Sequence, residues 1–183
     1  MLNPIHKALG HQFPITYGIA PYYFKKGNSI QRIMHQLKYG GDTSIGKQIG
    51  CHIGQHMKRQ NKFGDIDFLI PVPLHFSKLE SRGYNQSQII GKSIANYLSK
   101  PLITDILFRK HSSKTQTHKS RFNRWKSTQS AFILKDKITL IGKHVAIVDD
   151  VFTTGATLSG CLQALESIKR IKISVITAAI ADY

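Results

Sequence analysis

His144-Val-Ala-Ile-Val-Asp149-Asp150-Val-Phe-Thr153-Thr154-Gly155-Ala156-Thr157 is the stretch on which the reading of the whole chain turns. Val145 to Val148 is short, mostly β-branched and unbroken, the pattern of a strand buried on both faces of a parallel sheet. Leu158, Leu162, Leu165 and Ile168 follow at helical spacing, so a helix is predicted to begin near Thr157. Between the two lie a pair of carboxylates and a turn rich in hydroxyls and glycine. Backbone N–H groups and the positive end of a helix dipole converge at such a turn, which makes it an anion site. The chain has 10 acidic residues against 26 basic ones, so two adjacent acids call for an explanation.

An ionised carboxylate only accepts hydrogen bonds. A phosphate cradle beside two acids therefore suits a ligand that carries both a phosphate and vicinal hydroxyls. A ribose 5-phosphate meets that description. Its phosphate would sit against Thr153, Thr154, Gly155, Ala156 and Thr157, and its 2- and 3-hydroxyls would donate to Asp149 and Asp150. Each charge-assisted bond of this kind contributes about 1.5–3 kcal/mol. The same acids are placed to stabilise positive charge at the anomeric carbon. The plainer alternative is an Asp that merely caps a helix entry.

Outward from this stretch, periodicity predicts a strand over 17–24 and an amphipathic helix on Ile30, Ile33, Met34 and Leu37. A helix over 44–58 follows, with Gly46, Gly50 and Gly54 on one face for close packing on a sheet. A strand over 68–72, a helix over 87–98, and strands over 102–108 and 173–179 complete the pattern. Strands alternating with helices imply a doubly wound, parallel α/β sheet whose ligand site lies at the strands' C-terminal ends. Length and a 41% hydrophobic content suit one domain over 1–183. The loop after the 68–72 strand brings Lys78, Arg82, Gly83 and Tyr84. Its cations can neutralise a second phosphate, and its glycine permits close backbone approach.

Residues 109–126 hold seven Lys or Arg and no acid, the composition of a flexible surface loop. Lys114, Lys119, Arg121 and Arg124 are its candidate anion contacts, while Phe122 and Trp125 are placed to stack on nucleobases. The net charge of +16 favours polyanions in general, and single-stranded DNA is a partner to test. His52 and His56 stand one helical turn apart beside Cys51, yet no third ligand accompanies them, so no protein-bound metal is expected. The two cysteines form no Cys-x-x-Cys pair, no run is long and apolar enough to span a bilayer, and the start lacks a signal-peptide layout. The compartment reads as cytoplasmic.

The diacid segment resembles the phosphoribosyl-pyrophosphate (PRPP) motif of type I phosphoribosyltransferases. Pro71-Val-Pro-Leu together with Arg82-Gly83-Tyr84-Asn85-Gln86 is similar to the signature of the ComF competence-protein family, and His35-Gln-Leu-Lys38-Tyr39-Gly40 and Ser113-Lys-Thr115-Gln116 extend the likeness along nearly the whole chain. The resemblance implies the type I phosphoribosyltransferase fold with a flexible hood loop over 109–126, and it makes the Lys78–Tyr84 segment a pyrophosphate loop. It also implies PRPP as ligand, with Mg2+ carried on the pyrophosphate and reaching protein carboxylates weakly or through water. Phosphoribosyl transfer with release of pyrophosphate is the expected activity, and Asp149 and Asp150 are the catalytic acids. Two rival readings are a single-stranded-DNA-binding accessory of DNA uptake and a PRPP-sensing regulator; assembly as a homodimer is open. Oxopurine enzymes of this kind carry Asp where this chain has Thr153, which disfavours a 6-oxopurine and leaves the acceptor unnamed. ComF relatives often bear a four-cysteine zinc module ahead of the domain, and this sequence shows none.

Overall fold

The computed structural model describes residues 4–61, 63–110 and 131–181. Its centre is a pair of long parallel strands, β6 (His144–Phe152) and β7 (Lys172–Ala181), with eight consecutive buried residues in the latter. β3 (Phe68–Pro71) pairs with β6 on one side. β1 (Ile15–Ile19) and β2 (Tyr22–Phe24) both pair with β7 on the other, and every ladder of this sheet is parallel. Strands with both faces buried need helices on both sides, and the chain supplies them.

One face is covered by α2 (Ser29–Tyr39), α3 (Thr43–Arg59) and α5 (Gln86–Leu98). These bury Met34, Leu37, Ile53, Met57, Ile90 and Ile94 with Ala146, Val148, Ile176 and Ala178 of the sheet. The opposite face is covered by α1 (Pro4–Leu9) and α6 (Ala156–Leu165). Ile5, Leu9, Leu158, Cys161 and Leu162 pack there on Val145, Ile147, Ile173 and Val175. The doubly wound α/β expectation is met.

Several local expectations are corrected. The 17–24 strand is two, because Ala20-Pro21 interrupts it and proline has no N–H to give to a ladder. The 102–108 strand is absent: Leu102 makes one isolated bridge to Leu69, and the chain then leaves the main sheet. Its end, β4 (Leu107–Arg109), pairs antiparallel with β5 (Phe132–Leu134), a partner that lies beyond the basic segment. The Lys78–Arg82 stretch is α4 (Phe76–Arg82), a short helix with no buried residue and hence no periodic signal; Gly83 closes it at φ +75°. β6 runs on through both acids to Phe152, because β7 continues to pair with it as far as Ile180.

The glycines of α3 face α5 rather than the sheet. A Cβ at Gly50 would lie 2.5 Å from the Ile90 carbonyl oxygen and 2.6 Å from Ser93 Cβ, while one at Gly54 would lie 2.8 Å from Tyr97 Cβ. The two helices therefore meet nearly backbone to backbone. Gly50→Leu should lower unfolding free energy by about 1–3 kcal/mol or more, since a backbone carbonyl cannot yield as a side chain can. Urea denaturation measures this; a loss within error of zero would mean that the helices separate freely.

Residues 111–130, with Lys114, Lys119, Arg121, Phe122, Arg124 and Trp125, lie outside the described residues.

Candidate functional site

The register Pro71↔Val148 ends β3 level with the residue just before the acid pair, while β6 runs on to Phe152. The Pro73–Gln86 segment and the diacid turn therefore leave the same edge of the sheet. Past Phe152 the chain turns through Thr153 and Thr154, both exposed, into Gly155 at φ +76°. A Cβ on Gly155 would meet the Phe152 ring at 3.1 Å and Leu9 Cδ2 at 3.2 Å, so glycine is required twice, for its dihedral and for space. α6 starts at Ala156 with no hydrogen bond from a capping side chain; the Thr154 hydroxyl accepts from the Ala156 N–H at a long 3.5 Å. The first amides of α6 thus face a small hollow lined by Asp149, Val151, Phe152, Thr153, Gly155, Ala156, Thr157 and Leu158. Uncapped helix amides beside two threonines are suited to a phosphate.

The two acids differ. Asp149 Oδ1 accepts from the Ser87 hydroxyl at 2.9 Å and from the Asp150 N–H at 2.9 Å. Its Oδ2 takes no hydrogen bond from a described residue, and Asp149 is the acid that lines the hollow. Asp150 is more fully engaged: Oδ1 accepts from the Val151 N–H at 2.6 Å, and Oδ2 pairs with Lys38 Nζ at 3.0 Å. Asp150 is in phase with Ala146 and Val148, which pack toward α2, and the close ion pair of Lys38 is with this second acid. Burial first, and the Asp150 charge second, push the Asp149 carboxyl up to about 7; the Asp150 N–H, Ser87 and Lys38 oppose that rise.

A carboxyl with a raised native pKa binds its proton more tightly folded than unfolded. Between about pH 4 and pH 7 the native state holds a proton that the unfolded chain has released, so stability falls as pH rises through this window. A ligand that donates hydroxyls to Asp149 needs the ionised form. Its affinity should therefore climb between pH 6 and pH 8, and Asp149→Asn should remove that part of the climb. Titrations of parent and variant at the two pH values give the difference; parallel profiles would show that Asp149 is not the titrating group.

On the β3 side, Arg82 donates through Nη1 to Gln86 Oε1 at 3.0 Å and through Nη2 to the Tyr39 hydroxyl at 3.3 Å. Lys78 stands exposed on α4. The Tyr84 hydroxyl donates to the Leu37 carbonyl at 2.6 Å, and burial together with the Asp42 charge holds its proton more firmly than usual. Asn85 ties this segment to the strand: Nδ2 donates to the Val72 carbonyl at 2.9 Å and Oδ1 caps α5 through the Ser87 N–H at 3.0 Å. Asp149, Asp150 and Thr153 to Thr157 thus share one strand end, with Arg82, Gly83 and Tyr84 carried at the end of α4 and in the turn after it, in the segment that follows β3.

Four side chains of the site were not singled out from sequence: Lys38, Tyr39, Gln86 and Ser87. Lys38 and Tyr39 fall in the His35–Gly40 motif, and Gln86 ends the Arg82–Gln86 motif, so those likenesses were the available signal. Ser87 carried none. His52 Nδ1 lies 3.3 Å from the Tyr22 hydroxyl and His56 Nε2 lies 2.6 Å from Gln60 Nε2. Among the described residues, no three His, Cys, Asp or Glu side chains gather to hold a metal ion, and no helix is long and apolar enough to cross a membrane.

A parallel sheet wound on both faces, with an acid pair and a glycine turn at the end of a central strand, is the architecture of a phosphoribosyltransferase-type domain. The chain belongs to the phosphoribosyl transferase domain family, whose profile matches residues 85–183. It is similar to Competence protein F of Haemophilus influenzae, at 29% identity over 140 residues, covering 76% of this chain and 61% of that protein. DNA utilization protein YhgH of Salmonella typhi is 29% identical over 139 residues, with 74% and 60% covered. Competence protein ComFC of Streptococcus pneumoniae is 25% identical over 144 residues, with 78% and 60% covered. The ComF resemblance read from the motifs is borne out by these relatives, of whose length the chain spans about three-fifths. A crystal structure of a purine phosphoribosyltransferase from Pyrococcus horikoshii aligns with TM-score 0.44 at 14% identity, covering 87% of this chain and 86% of that one.

Proposed function

We propose that this chain, over 1–183 as one unit, binds PRPP with Mg2+ in the cytoplasm and transfers its phosphoribosyl group to an acceptor. The observation that carries the reading is Asp149: an acid with one oxygen open, lining the same hollow as the uncapped start of α6. The 5-phosphate lies against Thr153 to Thr157, and Asp149 Oδ2 accepts from a ribose hydroxyl. Arg82 and Lys78 face the pyrophosphate. Mg2+ supplies charge neutralisation on the leaving pyrophosphate. The protein offers it two carboxylates, one already paired with Lys38, a set that fits contact through water better than a closed cage.

In the transfer, the bond from the anomeric carbon to pyrophosphate oxygen breaks and the electron pair leaves with pyrophosphate. The acceptor's lone pair forms the new bond, and the acceptor's proton passes to solvent water. Asp149 and Asp150 stabilise the positive charge between these events. Pyrophosphate release from PRPP, measured across nucleobases and other nitrogen nucleophiles, tests the transfer. Release driven by one acceptor supports it; binding of PRPP without release by any of them would leave the PRPP-sensing reading in its place.

A second reading is favoured by one observation, the net charge of +16, and by the competence and DNA-utilization names of the relatives. In it the chain also binds single-stranded DNA. Log affinity should then fall with log salt by about 0.7 per phosphate contacted, and replacing Lys119, Arg121 and Arg124 with Gln should flatten that slope. A slope near zero would remove the reading.

A further inference from the structure

Three consecutive residues at the end of α2 reach three different parts of the site. The Leu37 carbonyl receives the Tyr84 hydroxyl at 2.6 Å. Lys38 Nζ lies 3.0 Å from Asp150 Oδ2. Tyr39 lies under the Arg82 guanidinium, its ring centroid 4.9 Å from Cζ and its hydroxyl 3.3 Å from Nη2. One helix end therefore bridges the acid pair and the neighbouring loop.

Arg82 is fixed from two sides. Besides Tyr39, its Nη1 donates to Gln86 Oε1 at 3.0 Å. A guanidinium only donates, so the oxygen of the amide must face it and the Gln86 orientation follows. That choice leaves Gln86 Nε2 buried without a partner, in a side chain only 1% exposed. An orphaned buried donor is costly, and what it secures is the placement of one arginine. Tyr39 is 65% exposed, too open to be a core residue, so its ring acts mainly as a shelf for the cation. Two of the five guanidinium N–H groups are occupied in this way, which leaves the others for an anion.

Lys38 belongs to the other half. Its side chain is 25% exposed and that of Asp150 is 14% exposed, a pair sheltered enough to orient the carboxylate.

We infer that Lys38 and Tyr39 are positioning residues that divide a phosphorylated sugar between them. Lys38 sets the acid on the sugar side, whereas Tyr39 with Gln86 presents Arg82 to a second phosphate group. The site thereby selects a sugar phosphate bearing pyrophosphate over the monophosphate. This rests on the PRPP reading above.

The test is calorimetric titration of the parent, Tyr39→Ala, Tyr39→Phe, Lys38→Met, Lys38→Arg and Gln86→Leu with three probes: PRPP, ribose 5-phosphate and inorganic pyrophosphate, each with Mg2+. In Tyr39→Ala the PRPP affinity, and its ratio to that of ribose 5-phosphate, should fall about 3- to 10-fold, the cost of immobilising one long side chain on binding. Tyr39→Phe keeps the shelf and should restore most of the ratio. Lys38→Met should weaken both sugars by one common factor, and Lys38→Arg should reverse this. Gln86→Leu removes the orphaned donor, so the melting temperature should hold while the ratio falls, a combination that a purely structural role would not produce. An unchanged ratio in both Tyr39→Ala and Gln86→Leu, or a shifted ratio in Lys38→Met, overturns the inference while the PRPP reading stands. A parent that binds none of the probes overturns both.

Discussion

Replacing Asp149 with Asn should reduce PRPP affinity about 10- to 100-fold without unfolding the chain, and the Asp149→Asn, Asp150→Asn double variant should lose somewhat more. Asparagine keeps the shape but removes the charge that makes a hydroxyl-to-carboxylate bond worth about 1.5–3 kcal/mol. The geometry makes the two positions unequal. Asp149 presents an open oxygen to the hollow, whereas both oxygens of Asp150 are engaged, by Val151 and Lys38. Asp150→Asn alone should cost less affinity and more stability, since it leaves the half-buried Lys38 ammonium without its partner. If the plainer helix-cap reading were right, the acid changes would lower helix stability and leave ligand binding untouched. Equal PRPP binding by the double variant and the parent would remove the ribose assignment.

The second large effect is expected at Gly155. A β-branched residue held at φ +76° costs about 1–3 kcal/mol in backbone strain. The crowding against Phe152 at 3.1 Å and Leu9 at 3.2 Å adds a similar amount by overpacking. Gly155→Val should thus destabilise by about 2–5 kcal/mol in urea denaturation, and the smaller Gly155→Ala by less. Because the turn also aims the α6 amides, Gly155→Ala should weaken binding of inorganic phosphate or PRPP even where most of the protein remains folded. Stability within about 0.5 kcal/mol of the parent for Gly155→Val, the scatter of an ordinary surface change, would contradict this account of the turn.

What was legible in the sequence lies close together along the chain. Val145 to Thr157 declares strand, acids, turn and helix in order, and the structure keeps that order with β6 reaching further than the apolar run alone indicated. The Arg82–Gln86 motif likewise marked a segment that stands beside the acids. What was not legible depends on partners distant in sequence. The spacing of Gly46, Gly50 and Gly54 announces a close approach, but it carries no information on whether the other surface is a sheet or a helix; α5 turned out to be that surface. β4 finds its partner in β5 on the far side of residues 111–130. α4 is too short and too exposed to show any periodicity. Lys38 in an amphipathic helix resembles any solvated lysine until the fold sets it against Asp150. The loop over 109–126 and its cations fall largely outside the described residues.

Calorimetric titration of the parent with PRPP and Mg2+ tests the central claim most directly, with ribose 5-phosphate as the weaker comparison ligand and single-stranded DNA as the polyanion control. The expected result is saturable binding of PRPP at one site per chain, tighter than ribose 5-phosphate, surviving moderate salt and largely abolished in the Asp149→Asn, Asp150→Asn variant. No heat with PRPP beside salt-sensitive binding of single-stranded DNA would contradict it and assign the chain to nucleic acid alone.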